Sequence, residues 1–224
     1  MERLKTFLFQ RFRTIFAITT LTGLSLLLLM LRLKLTHSYF LLFLTWNLFL
    51  AAIPFLITFY LSSRKKAHRY RLLLWLGLWL LFLPNAPYIV TDFIHLQHLQ
   101  ANIVWLDNIL IATYAASGLL FYFISVKDME ELLHRHFQHK KVKYMLWTIP
   151  FLAGFGIYLG RFLRWNSWDI IQRPHFLIRD VGEIIVFPLQ HKVAWLVTLL
   201  FGCGLALGYR MFKKIPFFKL KKYP

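Results

Sequence analysis

An all-α polytopic membrane bundle of about six transmembrane helices is the fold class this sequence predicts, and three observations predict it. Of its 224 residues 58% are apolar, with 23 Phe, 8 Trp and 10 Tyr, and the mean hydropathy is +0.56. A soluble domain runs nearer to about 45 to 50% apolar. Six apolar tracts approach the roughly 20 residues that carry a helix across about 30 Å of hydrocarbon. The 27 Lys+Arg and 9 Asp+Glu, a net charge of +18, are gathered between those tracts instead of being spread along them. No internal repeat is visible and no linker is long enough for an independent soluble unit, so residues 1–224 read as one integral membrane domain.

Taken in order, the spans fall at about 15–31, 39–61, 72–90, 103–126, 145–163 and 189–209. The first is fused to Phe7, Phe9 and Phe12 and followed by Arg32 and Lys34, with no Ala-x-Ala site after it, so it reads as a retained span and not a cleaved leader. The third meets Pro84-Asn85-Ala86-Pro87 after Leu72 to Leu83, a stretch that rises only about 18 Å as a helix. Each proline removes an N–H donor and clashes with the preceding turn, so a broken third span is expected, with Asn85 placed to satisfy freed backbone. The fourth span carries Asp107, a carboxylate that costs several kcal/mol in lipid unless it faces the interior and finds a partner or a proton. Its readings are functional use, structural pairing and snorkelling to the interface. Gly156 with Gly160, and Gly204 with Gly208, stand four apart on the fifth and sixth spans, a close-packing signature. Between those spans, Pro174 to Glu183 reads as an amphipathic piece lying on the membrane or dipping into it, a short interfacial or re-entrant helix.

Basic residues stay on the cytoplasmic side of a bilayer. Residues 1–14, 62–71, 127–144 and 210–224 carry four, five, five and six of them, against two, none and five in 32–38, 91–102 and 161–192. Both termini are therefore expected in the cytoplasm, at a bacterial plasma membrane. Arg64, Lys65 and Lys66, and Lys213, Lys214, Lys219, Lys221 and Lys222, are expected to meet anionic lipid headgroups there. No basic run interleaves with aromatic platforms on a polar domain, so nucleic acid is not an expected partner. The single Cys203 excludes an intramolecular disulfide.

The same topology brings the polar candidates to the non-cytoplasmic side. Thr91 can cap a short helix, and Asp92 and His95 stand at i, i+3 as a proton-handling pair, with His98 offering a weak Asp-x-x-His-x-x-His metal pattern. The bland alternative is an interfacial helix with outward polar residues. Arg161 and Arg164 end the fifth span, where one can neutralise Asp92, Asp107 or Asp169, and Trp165 and Trp168 suit the headgroup level. Ser167, Asp169 and His175 are the residue types of a hydrolase triad, but no strand-turn-helix nucleophile elbow accompanies them. An outward polar cavity built from these stretches could bind an anionic headgroup, relay a proton or position a lipid-linked substrate.

Leu83-Pro84-Asn85-Ala86-Pro87-Tyr88-Ile89-Val90-Thr91-Asp92-Phe93-Ile94-His95-Leu96, followed by Gly160-Arg161-Phe162-Leu163-Arg164-Trp165-Asn166-Ser167-Trp168-Asp169, resembles the bacterial family called domain of unknown function 1361 over most of the chain. That resemblance implies a multi-pass integral membrane protein. It carries emphasis onto Asn85, Pro87, Tyr88, Thr91, Asp92 and His95, and onto Arg161, Asn166 and Asp169, and it implies no reaction, cofactor or substrate.

Three function classes follow. A small transporter or channel needs a water-accessible path past Asp107. A membrane-embedded enzyme on a lipid-linked or phosphorylated envelope substrate would use Asp92 and His95 as general acid and base, with Arg161 or Arg164 on phosphate. A scaffold or assembly factor would keep the polar cluster, Asn85, Tyr88, Thr91, Asp107, Arg161, Arg164, Asn166 and Asp169, internally paired.

Overall fold

The structure, a computed structural model, describes residues 9–64, 69–98 and 103–218, and the side chains of residues 95–98 lie outside that description. So do Lys65, Lys66, Lys219, Lys221 and Lys222, on which part of the headgroup expectation falls. Among the described residues nine α-helices follow one another: α1 (Phe12–Thr36), α2 (Phe43–Ser63), α3 (Arg69–Phe82), α4 (Asn85–Tyr88), α5 (Val104–His134), α6 (His139–Arg161), α7 (Asp169–Gln172), α8 (Pro174–Val186) and α9 (Lys192–Phe212). A 3-10 stretch, Ile89–His98, continues from α4. No strand occurs among the described residues.

Among the described residues, six helical stretches are long and apolar enough to cross a membrane: Phe12–Thr36, Phe40–Ser63, Arg69–Ile94, Val104–His134, His139–Arg161 and Lys192–Phe212. Each contains most of one apolar tract of the sequence. Their outward surfaces carry large apolar side chains such as Leu27, Leu74, Trp147 and Leu200, as lipid-facing helices must. The fourth helix runs on past residue 126 to His134, and its last turns bury Asp128, Leu132 and Leu133 instead of ending at the apolar tract.

Helix α5 is the axle of the bundle, with Leu110, Ile111, Tyr114, Tyr122, Met129 and Leu133 inaccessible and α1, α2, α4 and the 3-10 stretch packed around it. Two glycines let the backbone at the proline break come close. A Cβ on Gly118 of α5 would lie 2.3 Å from the Ala86 carbonyl oxygen, and one on Gly156 of α6 would lie 2.3 Å from Pro84 Cγ. Only a residue without a side chain fits either crossing. Helices α6 and α9 approach through Gly154, whose Cβ would meet the Thr198 carbonyl oxygen at 2.8 Å. Of the two glycine pairs singled out in the sequence, Gly156 and Gly160 close on Pro84 and Tyr88, Gly208 faces Phe123, and Gly204 borders open space.

Helix α1 is fastened to α5 differently. Arg11, Ser25 and Arg32 are all buried, although most of α1 faces outward, and their spacing keeps them near one stripe of the helix. Arg11 pairs with Asp128, Ser25 shares a 3.2 Å hydrogen bond with Ser117, and Arg32 Nε donates to Asp107 Oδ1 at 3.1 Å. As the partner on α1 advances, the partner on α5 retreats, the register of an antiparallel pair.

Candidate functional site

At the end of the bundle that carries the proline break, α3 stops at Phe82 and a turn through Leu83 and Pro84 leads into α4. Leu83, Ala86 and Ile89 are inaccessible, so backbone there has no route to solvent and must find protein donors. Side chains supply them. Asn85 Nδ2 donates to the Phe82 carbonyl oxygen at 3.0 Å, and Ser167 Oγ, from the segment after α6, donates to the Leu81 carbonyl oxygen at 3.2 Å. Asn85 Nδ2 also donates to Ser167 Oγ at 3.0 Å, which ties the break to that segment.

Beside this junction stands an ion-paired cluster. Asp92 is 1% exposed, with Oδ1 paired to Arg161 and Oδ2 accepting from Asn47 Nδ2 at 3.0 Å. The Arg161 guanidinium also donates from Nε to Thr91 Oγ1 at 2.8 Å and lies over the Tyr88 ring, 4.5 Å from its centroid. Thr91 in turn donates to the Tyr88 carbonyl oxygen at 2.6 Å. Five side chains from α2, α4, the 3-10 stretch and the end of α6 therefore hold one another, and the Tyr88 ring is their platform.

The segment after α6 is ordered by its own short contacts. Trp165 N–H donates to the Leu159 carbonyl oxygen at 3.0 Å, closing the helix through Arg164, whose φ is +59°. Asp169 accepts from the Asn166 backbone N–H at 2.7 Å and from its Nδ2 at 3.2 Å, and Trp165 Nε1 donates to Asp180 on α8 at 3.0 Å. Trp168 meets Trp46 of α2 edge to face, with centroids 6.5 Å apart.

These elements enclose a cleft of about 690 Å³ between α2, α3, α4, α6 and the segment leading to α8. Its body is apolar, made by side chains such as Leu78, Leu81, Leu152, Phe155 and Leu177. Leu78 of α3 and Leu152 of α6 line it and are exposed. Its polar end is formed by Asn47, Asn85, Tyr88, Asn166 and Ser167. Asp92, Thr91 and Arg161 are not in its wall; they sit behind Tyr88 and Asn47 and hold them.

The candidates named from the sequence thus separate into four groups. Asn85, Tyr88, Thr91, Asp92, Arg161, Asn166 and Asp169 come together around the cleft. Asp107 lies apart, inaccessible in α5 and paired to Arg32, with Arg32 Nη1 donating to the Ser38 carbonyl oxygen at 2.7 Å; Asp107 Oδ2 is buried without a hydrogen-bond partner among the described residues. Arg164 is exposed and makes no ion pair among the described residues. The His95 and His98 side chains lie outside the described residues, so the acid–base pair and the metal pattern lack their imidazoles here, and no group of three potential metal donors occurs among the described residues.

Arg32 and Asn47 were the contributors that sequence reading missed. Arg32 passes for an interfacial flank of the first span, yet its seven-residue spacing from Ser25 within an apolar helix was a signal of a shared buried stripe. Asn47 was a lone amide in an otherwise apolar span, and such residues face partners inside a bundle.

A family model described as "Protein of unknown function (DUF1361)" matches residues 46–207, which includes the whole cleft and excludes α1. No curated protein and no solved structure matches the chain.

Proposed function

The chain belongs to the DUF1361 family, and on that premise we propose that it is a lipid-handling membrane protein that takes one amphiphilic molecule sideways from the bilayer into the cleft. The observation that carries this reading is the pairing of an apolar body with a polar end in one cavity of about 690 Å³, whose apolar lining includes exposed leucines of α3 and α6. Cavities of roughly 300 to 1,000 Å³ with few polar groups are the usual form of small-molecule sites. From Leu152 to Gly160 the wall runs about 12 Å along α6, a depth that suits a hydrocarbon chain. At the polar end the Tyr88 hydroxyl is the group best placed to meet a head group, since Arg161 beneath the ring fixes its orientation.

The reading favours a transporter-like or lipid-presenting role over acid–base catalysis. Both oxygens of Asp92 are engaged, and burial behind the wall keeps it from substrate; it acts as a positioning residue. In the same proposal the basic segments 1–14, 62–71, 127–144 and 210–224 face the cytoplasm, where anionic headgroups neutralise them, and the cleft's polar end faces the opposite surface.

The test uses two glycines at which an added Cβ meets nothing within 4 Å, Gly77 in the cleft wall and Gly204 away from it. Gly77→Trp is expected to fill the cleft and abolish co-purification of an amphiphile seen by native mass spectrometry, whereas Gly204→Trp retains it. Equal retention by both variants, or none by the unaltered protein, would remove the proposal.

A further inference from the structure

We infer that the head of the amphiphile is uncharged and rich in hydroxyls, as a glycosyl group is, and that it binds among Asn47, Asn85, Tyr88 and Asn166; this rests on the cleft reading above. The first observation is one of composition. In a chain of net charge +18, no described residue lining the cleft is an acid, a base or a histidine. The polar end consists of amides, hydroxyls and indoles, so a charged head entering it would leave water without meeting a counter-charge in the wall.

The second observation is the direction in which the amides face. Asn47 Nδ2 donates to Asp92 Oδ2 and Asn166 Nδ2 to Asp169 Oδ2, while Asn85 Nδ2 serves the Phe82 carbonyl oxygen and Ser167 Oγ. An ionised carboxylate and a backbone carbonyl can only accept, so these partners fix which end of each amide is nitrogen. The three amide oxygens receive no hydrogen bond from any described residue. The Tyr88 hydroxyl likewise has no partner among the described residues, although its ring is held over Arg161. Asn47, Asn85 and Tyr88 are half-buried, yet none of these oxygens is sealed inside the protein.

Oxygens that lack donors call for a ligand that brings O–H groups. An ionised phosphate or carboxylate head brings acceptors instead, and it would also face the negative charge of Asp169 and Asp180, which are bonded to the lining residues Asn166 and Trp165. Sugar hydroxyls both donate and accept. They match the amide oxygens, the second N–H of Asn47 and of Asn166, and the Tyr88 hydroxyl. Trp46 and Trp168, edge to face in the same lining, add indole surface of the kind on which the C–H face of a sugar ring packs.

Tyr88→Phe is the cleanest variant, because it removes a hydroxyl that no described residue uses and keeps the ring over Arg161. The full-length protein, in a polyoxyethylene detergent that carries no sugar, is offered glucosyl diacylglycerol, its tetra-O-methyl ether and phosphatidylglycerol, all with identical chains. Bound lipid is counted by native mass spectrometry. The unaltered protein is expected to prefer the glucosyl lipid over each of the others by about tenfold, a margin that one or two hydrogen bonds supply. In Tyr88→Phe the preference falls severalfold at an unchanged melting temperature, and Gly77→Trp binds none of the three. Equal binding of the three lipids, or a preference for phosphatidylglycerol, overturns the neutral head and leaves the cleft standing, whereas retention of no lipid at all removes the cleft reading itself. A glucosyl preference undiminished in Tyr88→Phe, or persisting in Gly77→Trp, puts the sugar elsewhere and overturns the assignment. Displacement of the glucosyl lipid by free glucose identifies a site for soluble sugar and overturns the lipid assignment; no displacement is expected.

Discussion

Arg32 and Asp107 show what a single residue can cost in this environment. Each is nearly inaccessible, so neither charge can be left alone without several kcal/mol of uncompensated burial. Arg32→Leu is accordingly expected to destabilise the protein by about 3 to 5 kcal/mol, read as a lowered melting temperature in detergent. Arg32→Leu combined with Asp107→Leu should recover most of that loss, because a buried pair replaced by apolar groups leaves nothing unpaired. A double variant as unstable as the single one would show that the pair does more than neutralise itself. Around the cleft the logic differs. Arg161→Lys keeps the charge on Asp92 but forfeits the fork that reaches Thr91 and the face over Tyr88. Retained lipid should therefore fall severalfold while the protein still inserts and stays folded; the native mass spectrum and the melting curve separate the two. The oddity of Asp107 was legible in the sequence, as an acid inside an apolar run. Its partner was not, because Arg32 sits 75 residues away at a span end and looks like an ordinary flank. For Arg161 the sequence left three carboxylates open, and tertiary packing, which no local pattern encodes, selects Asp92.

At the scale of elements, hydropathy makes the six long helices readable, since a lipid solvent admits few alternatives to an apolar helix. The break in the third span is readable too, from two prolines three residues apart. What the sequence leaves unread is how such a break is tolerated: Gly118 and Gly156 close in from both sides, and Asn85 and Ser167 meet the carbonyls of the last α3 turn. The glycine spacing that looks like one packing motif thus divides by neighbour. Gly156→Ala and Gly118→Ala should each lower the melting temperature, because the added carbon falls 2.3 Å from Pro84 Cγ or from the Ala86 carbonyl oxygen. Gly204→Ala, facing open space, should raise stability by roughly 0.5 to 1 kcal/mol, the ordinary gain of alanine over glycine in a helix. Thermal melts of the three variants side by side test this, and a Gly156→Ala protein as stable as Gly204→Ala would mean that the break yields easily.

For the whole molecule, the proposed topology has six crossings that bring the two ends of the chain to one face of the bilayer, and in that proposal the basic excess assigns that face to the cytoplasm. Cys203 is the only cysteine, which makes the assignment simple to check. In a Cys203→Ser background, Arg179→Cys should react with a membrane-impermeant maleimide in intact cells, and Lys214→Cys should react only after lysis. The reverse pattern would invert the bundle and put the cleft's mouth in the cytoplasm.

The row of contacts between α1 and α5 bears on how such a molecule is made. Ribosomes deliver the chain from its amino end, so the arginines at 11 and 32 reach the bilayer well before the aspartates at 107 and 128. The cations can wait near the headgroups, whose own negative charge shelters them. The acids then arrive to find their counter-charges already threaded, and the most exacting helix of the six never has to enter lipid unaccompanied.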